Sequence, residues 1–195
     1  YLLKVAQKTL TNEEKVLLSE VLQVVNEFER IADHADNICD RAREMYKNGI
    51  RFSTSAMEEV DLLAEATEEI LGYAVQGYTE RDGSLAERID PLEEVIDIMV
   101  ELLKIRHNER LQKNLCSLDS AFPFVDILTD LERISDHCSN VGEHVIFYSN
   151  PREVVDRRDY LQQLRREKTA IYENMAERYN EKYIETLENM AALPA

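Results

Sequence analysis

Apolar residues recur along this chain with a period near 3.6, and no stretch shows the two-residue alternation of a strand. Thr11-Asn12-Glu13-Glu14 has the form of a capping box. The apolar series after it runs Leu17, Val21, Val24, Phe28, Ile31, Ala35, Ile38, Ala42, Met45, and Gly49 supplies a stop. Ser55-Ala56-Met57-Glu58 reads as a second capping box, opening a helix to about Arg81 that Asp82-Gly83-Ser84 breaks. A third helix starts near Asp90-Pro91 and carries Leu92, Ile96, Met99 and Leu103 on one face. Leu115–Pro123 reads as a loop, and a fourth helix runs to about Tyr148. Asn150-Pro151 fits an N-cap with proline at the first helical position. The last helix then shows Leu161, Leu164, Ile171, Met175, Tyr179 and Tyr183, with Leu193–Ala195 fraying. The pattern predicts an all-α protein of five substantial helices plus a short piece at the front.

One string occurs twice. Phe28–Asp40 laid over Leu131–Glu143 gives identity at Glu29/Glu132, Arg30/Arg133, Ile31/Ile134, Asp33/Asp136, His34/His137 and Asn37/Asn140, an offset of 103 residues. Shared amphipathicity would fix only which positions are apolar, and five of these six are polar. We read an internal duplication in which each repeat is a helical bundle whose last helix carries the string. The expected organisation is tandem three-helix bundles, the first truncated at its N-terminus. Residues 1–50 would be the remnant of the first bundle, 51–150 the second bundle, and 151–195 a C-terminal helix.

Composition narrows the function classes. Five Gly and four Pro in 195 residues suit long regular elements. A net charge of −16, spread along the chain, repels nucleic acid and anionic membranes and suits cations or basic partners. Cys39, Cys116 and Cys138 are an odd count without CxxC spacing, which argues for a reducing compartment; their place on or near apolar faces predicts core positions. No window is long and apolar enough to span a bilayer. The chain opens at Tyr1 inside a helical period, which reads as a fragment of something longer.

The repeated string concentrates carboxylates. At roughly 100° per residue, Glu29, Asp33, Asp36 and Asp40 fall within about 60° of each other. Glu132, Asp136 and Glu143 do the same, opposite the apolar stripe. Asp90, Glu94, Asp97 and Glu101 form a second stripe that an antiparallel neighbour would bring beside Glu132 and Asp136. Like charges at this spacing repel, and a bound cation would offset the repulsion. Oxygen ligands favour magnesium, calcium, manganese or iron, with His34 or His137 able to add a nitrogen. The alternative is a solvated acidic face, with Asp90 as an N-cap, Arg30 and Arg133 in in-helix pairs, and the histidines and asparagines bonded to neighbours. No Glu precedes a His by three residues, and there is no HExxH or glycine-rich phosphate loop, so enzyme templates fit poorly.

ERIADHADN and ERISDHCSN resemble the E/D-x-x-x-D signature of the PhoU family. The resemblance implies two three-helix bundles and surface metal clusters, often iron or zinc. RIDPLEEVIDIMVELLKIRHNERLQKNLCS with DLERISDHCSNV, together with Tyr160 and the Tyr179–Tyr183 stretch, is similar to the PhoU-like cytosolic C-terminal domain of bacterial sodium/phosphate cotransporter family proteins. It covers about Thr11 to Tyr183. It implies metal ligands at Glu132, Asp136, Asp90, Glu94 and Asp97, and at Glu29 and Asp33 in the incomplete first site. It also implies a regulatory, non-enzymatic role in phosphate uptake and a location on the cytoplasmic side of the membrane. The transmembrane unit of a parent transporter would be the partner; the alternatives are a free-standing PhoU-type adaptor and, behind it, a metal-dependent helical-bundle enzyme. The apolar face from Leu17 to Met45 is left short of cover, which predicts self-association or packing by the last helix.

Overall fold

The computed structural model describes residues 9–149 and 170–191. The expectations for Tyr1–Lys8, Asn150-Pro151, Tyr160, Leu161, Leu164 and Leu193–Ala195 lie outside the described residues. Those residues are all helix and connection, as the period predicts: α1 (Asn12–Asn48), α2 (Thr54–Glu80), α3 (Gly83–Ala86), α4 (Ile89–Gln112), α5 (Ala121–Ser149), α6 (Ala170–Tyr179) and α7 (Glu185–Ala191). A π-helical turn, Asn180–Ile184, joins α6 to α7.

The ends follow local chemistry. Thr11 and Glu14 close the capping box of α1 in both directions, and Gly49 ends the helix at φ 68°, a conformation open to glycine without strain. α2 starts earlier than the sequence suggests. Its N-cap is Ser53, whose hydroxyl accepts from the Ala56 N–H, while Ser55 lies within the helix. Phe52 packs edge to face on Phe124 and fixes where the chain enters. Asp82 breaks the chain after α2 but also caps the single turn α3 through the Ser84 N–H. α4 begins at Ile89, so Asp90 is no N-cap; its carboxylate accepts from the Ser139 hydroxyl at 3.0 Å. The stretch expected as a loop to Pro123 contains a 3-10 turn, Leu118–Ser120, and the first turn of α5. Proline is tolerated in a first turn because the N–H it lacks has no intrahelical acceptor there.

α2, α4 and α5 form a three-helix bundle. Leu63, Ile70, Leu92, Ile96, Met99, Leu103 and Leu128 are fully buried in it, each stabilising the fold by about 1.5–3 kcal/mol relative to exposure. Its polar tie is Glu59, 4% exposed, which accepts from Arg110 at 2.6 Å and Arg106 at 3.3 Å. The described part of the last helix, residues 170–191, packs on α4 and α2. Tyr179, Tyr183 and Leu187 are buried there, and the wide π turn counteracts the angular drift of that i, i+4, i+8 series. Glu69 of α2 takes hydrogen bonds from Tyr73, Lys182 and Tyr183, which fixes the register of the strap. α1 lies along the opposite side of α5, with Phe28 meeting Tyr78 of α2 edge to face. Cys138 is buried, Cys116 is half-buried and Cys39 is exposed, the last against the core expectation, because it lies on the side of α1 away from α5.

Candidate functional site

α1 and α5 run antiparallel, since contact positions rise along one as they fall along the other: Glu20–His144, Glu27–His137, His34–Asp130, Arg41–Asp126. The duplicated string lies at the centre of this seam. His34 Nδ1 is 2.8 Å from Asp130, and Asn37 donates to the same carboxylate at 3.4 Å. Reciprocally, His137 Nδ1 is 2.8 Å from Glu27, and Asn140 donates to that carboxylate at 2.9 Å. Facing carboxylates that only accept, both Nδ1 atoms carry their proton. Glu27 and Asp130 are themselves 103 residues apart, so the two copies grip each other through a local two-fold relation. The two imidazoles stack across it, with centroids 5.6 Å apart. Burial pushes the Glu27 carboxyl up, yet the bonds from Asn140 and His137 outweigh it and hold the group below its ordinary value.

The histidines and asparagines of the string are thus engaged between the repeats. Sequence reasoning missed Glu27 and Asp130 because the comparison by identity began one residue after them. Extended by one position, it shows an acid in both copies.

The carboxylates divide differently. Glu93, Asp97 and Asp136 each bring one oxygen into a cluster whose members lie within 4.8 Å of one another. α4 supplies two of them at i, i+4, and α5 the third. Asp97 Oδ1 is buried and has no hydrogen-bond partner. Burial pushes the Asp97 carboxyl above its ordinary value, Asp136 and Glu132 push the same way, and Lys104 opposes them. Glu132 stands beside the cluster, 3.5 Å from Lys104, which also binds Glu101 at 2.9 Å. Arg133 pairs in-helix with Asp136 at 3.1 Å.

Of the ligands expected from sequence, Asp97, Asp136 and Glu132 are brought together. Glu94 is not: it is exposed and faces the groove against α6, one helical step from Glu93, which takes the place assigned to it. Asp90 is engaged with Ser139. Glu29 and Asp33 are exposed on α1, and no α4-like helix faces them among the described residues. In sequence Glu93 fits the capping-box partner of Asp90, and its place in the cluster is masked because two acidic phases cross at Asp97, of which Asp90-Glu94-Asp97-Glu101 is the longer.

These features define an all-helical bundle in which α1 and α5 share a repeated string and three carboxylates converge in a cleft between α4 and α5. Residues 60–145, the bundle holding the cleft, match the family model of the PhoU domain. The chain is 29% identical over 127 residues to phosphate-specific transport system accessory protein PhoU homolog 1 of Thermotoga maritima, covering 65% of this chain and 54% of that protein. It is 23% identical over 144 residues to the accessory protein PhoU of Edwardsiella tarda, covering 74% and 58%, and 24% identical over 132 residues to a homolog in Synechocystis, covering 67% and 57%. The chain therefore spans little more than half the length of these relatives. They are named as accessory proteins of a transport system, not as enzymes. No solved structure matches. Among the described residues no helix is long and apolar enough to cross a membrane.

Proposed function

We propose that this chain is a PhoU-type regulatory module of phosphate transport, acting without catalysis through its helical surfaces and a metal held at Glu93, Asp97 and Asp136. The PhoU match over the bundle that bears these carboxylates carries the reading. The donors fit a metal: three carboxylates converge, and one buried oxygen is without a hydrogen bond. The three side chains that converge are all carboxylates, and an oxygen set suits magnesium, calcium or iron better than zinc. The metal would neutralise the cluster and fasten α4 to α5.

Elemental analysis of protein purified without chelator, beside Glu132→Ala with Asp136→Ala, tests this. Stoichiometric metal that the double variant loses supports the centre. No metal in either, with unchanged folding, returns the cluster to an acidic surface. For the regulatory role, the chain is expressed in cells lacking their own PhoU, and restored control of a phosphate-starvation reporter is the expected result.

The relatives support the separate accessory protein. The resemblance of the Arg88–Ser117 stretch favours a second reading, the cytoplasmic-side regulatory domain of a sodium/phosphate cotransporter with its own transmembrane unit as partner. Hydrophobic spans encoded upstream of Tyr1 would select it. We also place self-association on the outer face of α1, where Val25 is 48% exposed and Ala32, Ala35 and Cys39 lie open. Sedimentation that Val25→Asp shifts to a lighter species is the expected result.

A further inference from the structure

The first turns of α1 and the last turns of α5 enclose a groove apart from both the carboxylate cluster and the duplicated string. A cavity of about 260 Å³ is walled by Leu17, Val21, Val24 and Val145 and backed by Tyr78. It continues through Leu17 and Glu20 into a wider, mostly apolar trough of about 780 Å³ between Val16 and Phe147. Val16 is 59% exposed and Leu17 43%, so two large aliphatic side chains face water side by side. An apolar trough of this kind accepts the hydrophobic face of a helix, read as anchors at i, i+3, i+4 and i+7.

Charge decides between occupants. Glu13 and Glu14 edge the trough, Glu20 joins it to the cavity while bonded to His144 at 2.7 Å, the cavity lining also includes Arg81, and the whole chain carries −16. An anionic lipid surface is repelled. A second copy would bring the same acids against these. A basic helix is attracted, and its approach is accelerated by the long-range field. We infer that the groove between Val16 and Phe147 is a docking site for a basic amphipathic helix of a partner protein, its leucine-type anchors in the trough and its Lys and Arg over Glu13, Glu14 and Glu20.

The test titrates the full 195-residue chain into a fluorescein-labelled 16-residue peptide with Leu at i, i+3, i+4, i+7 spacing and Lys elsewhere, read by anisotropy. Saturable binding is expected, weakened at least tenfold by Leu17→Asp and by raised salt. It should be unchanged by Ile105→Asp, another exposed aliphatic, on α4 and outside the groove lining, and absent for a peptide with Glu in place of Lys. Circular dichroism checks that Leu17→Asp is folded. Failure to bind overturns the proposal, and so does equal binding by Leu17→Asp, equal loss in Ile105→Asp, or capture by anionic vesicles at the same site. Tenfold tighter binding on Leu3→Asp also overturns it, because the occupant would then be the first segment of the chain itself.

Discussion

The two copies of the repeated string end in different surroundings. On α5, Leu128, Cys138, Gly142 and Val145 are pressed against the bundle; Leu128 and Cys138 have no exposed surface, and Ile89 comes close to Gly142. Their counterparts 103 residues earlier on α1 are Val25, Ala35, Cys39 and Ala42, all exposed. The seam itself is alike in both copies: each histidine and asparagine holds an acid of the other helix. So identical polar residues mark what the copies do to each other. Divergent residues on the outer side mark what else each helix packs against. The acids Glu29/Glu132 and Asp33/Asp136 belong to that outer side, which is why, among the described residues, a cluster forms only where α4 faces them.

The sharpest way to break this comparison is paired truncation. Leu128→Ala should cost about 2–5 kcal/mol by opening a cavity in the bundle, whereas Val25→Ala should stay within about 0.5 kcal/mol. Equal losses in urea denaturation would mean that the face of α1 is as well packed as that of α5. Overpacking asks the converse. A Cβ at Gly142 would already lie 2.9 Å from Ile89 Cδ1, while Cys39 is open. Gly142→Leu should destabilise by about 1–3 kcal/mol, and Cys39→Leu should be neutral or promote association.

The seam should respond more evenly. Removing Glu27 leaves His137 and Asn140 without their acceptor, at a cost of about 1.5–3 kcal/mol. Asp130→Ala should cost less, because its partner His34 is more exposed and the Asn37 bond is long. Double-mutant cycles of Glu27 with His137 and of Asp130 with His34 check the order; coupling in only one cycle would refute the reciprocal arrangement.

Much of this was legible in the chain. The period gave the all-helical fold, Thr11 and Gly49 bounded α1, and Leu92, Ile96, Met99 and Leu103 proved to be one buried face. Duplication was visible as repeated polar identities. What remained hidden depended on which helix faces which. Ser53 rather than Ser55 caps α2 where Phe52 packs on Phe124, a contact between residues 72 positions apart in the chain. Glu93 rather than Glu94 faces Asp136 because a rotation of one residue about α4 is set by Met99 and Leu103 in the core, not by the acids. His34 and His137 bond Asp130 and Glu27 through Nδ1, partners that only the α1–α5 pairing brings near.

The smallest effect separates the outer acids most cleanly. Asp97 has its folded pKa raised by burial first, then by Asp136 and Glu132. The folded, metal-free protein therefore binds the Asp97 proton more tightly than the unfolded chain, whose value is about 3.9. No penalty exists below that value; stability is lost as pH rises from it through the raised one, and the loss is complete above. Asp97→Asn removes the charge and keeps the shape. In chelator it should raise the unfolding temperature slightly at pH 7, and the gain should vanish toward pH 3. A metal held as proposed would reverse the sign: it must displace the proton, so its affinity should climb with pH in the parent protein and be lost in Asp97→Asn. Asp33→Asn, at the exposed acid of α1, should change neither curve. A stability gain there matching that of Asp97→Asn would mean that both copies carry a strained carboxylate cluster, and the contrast between the repeats would fail.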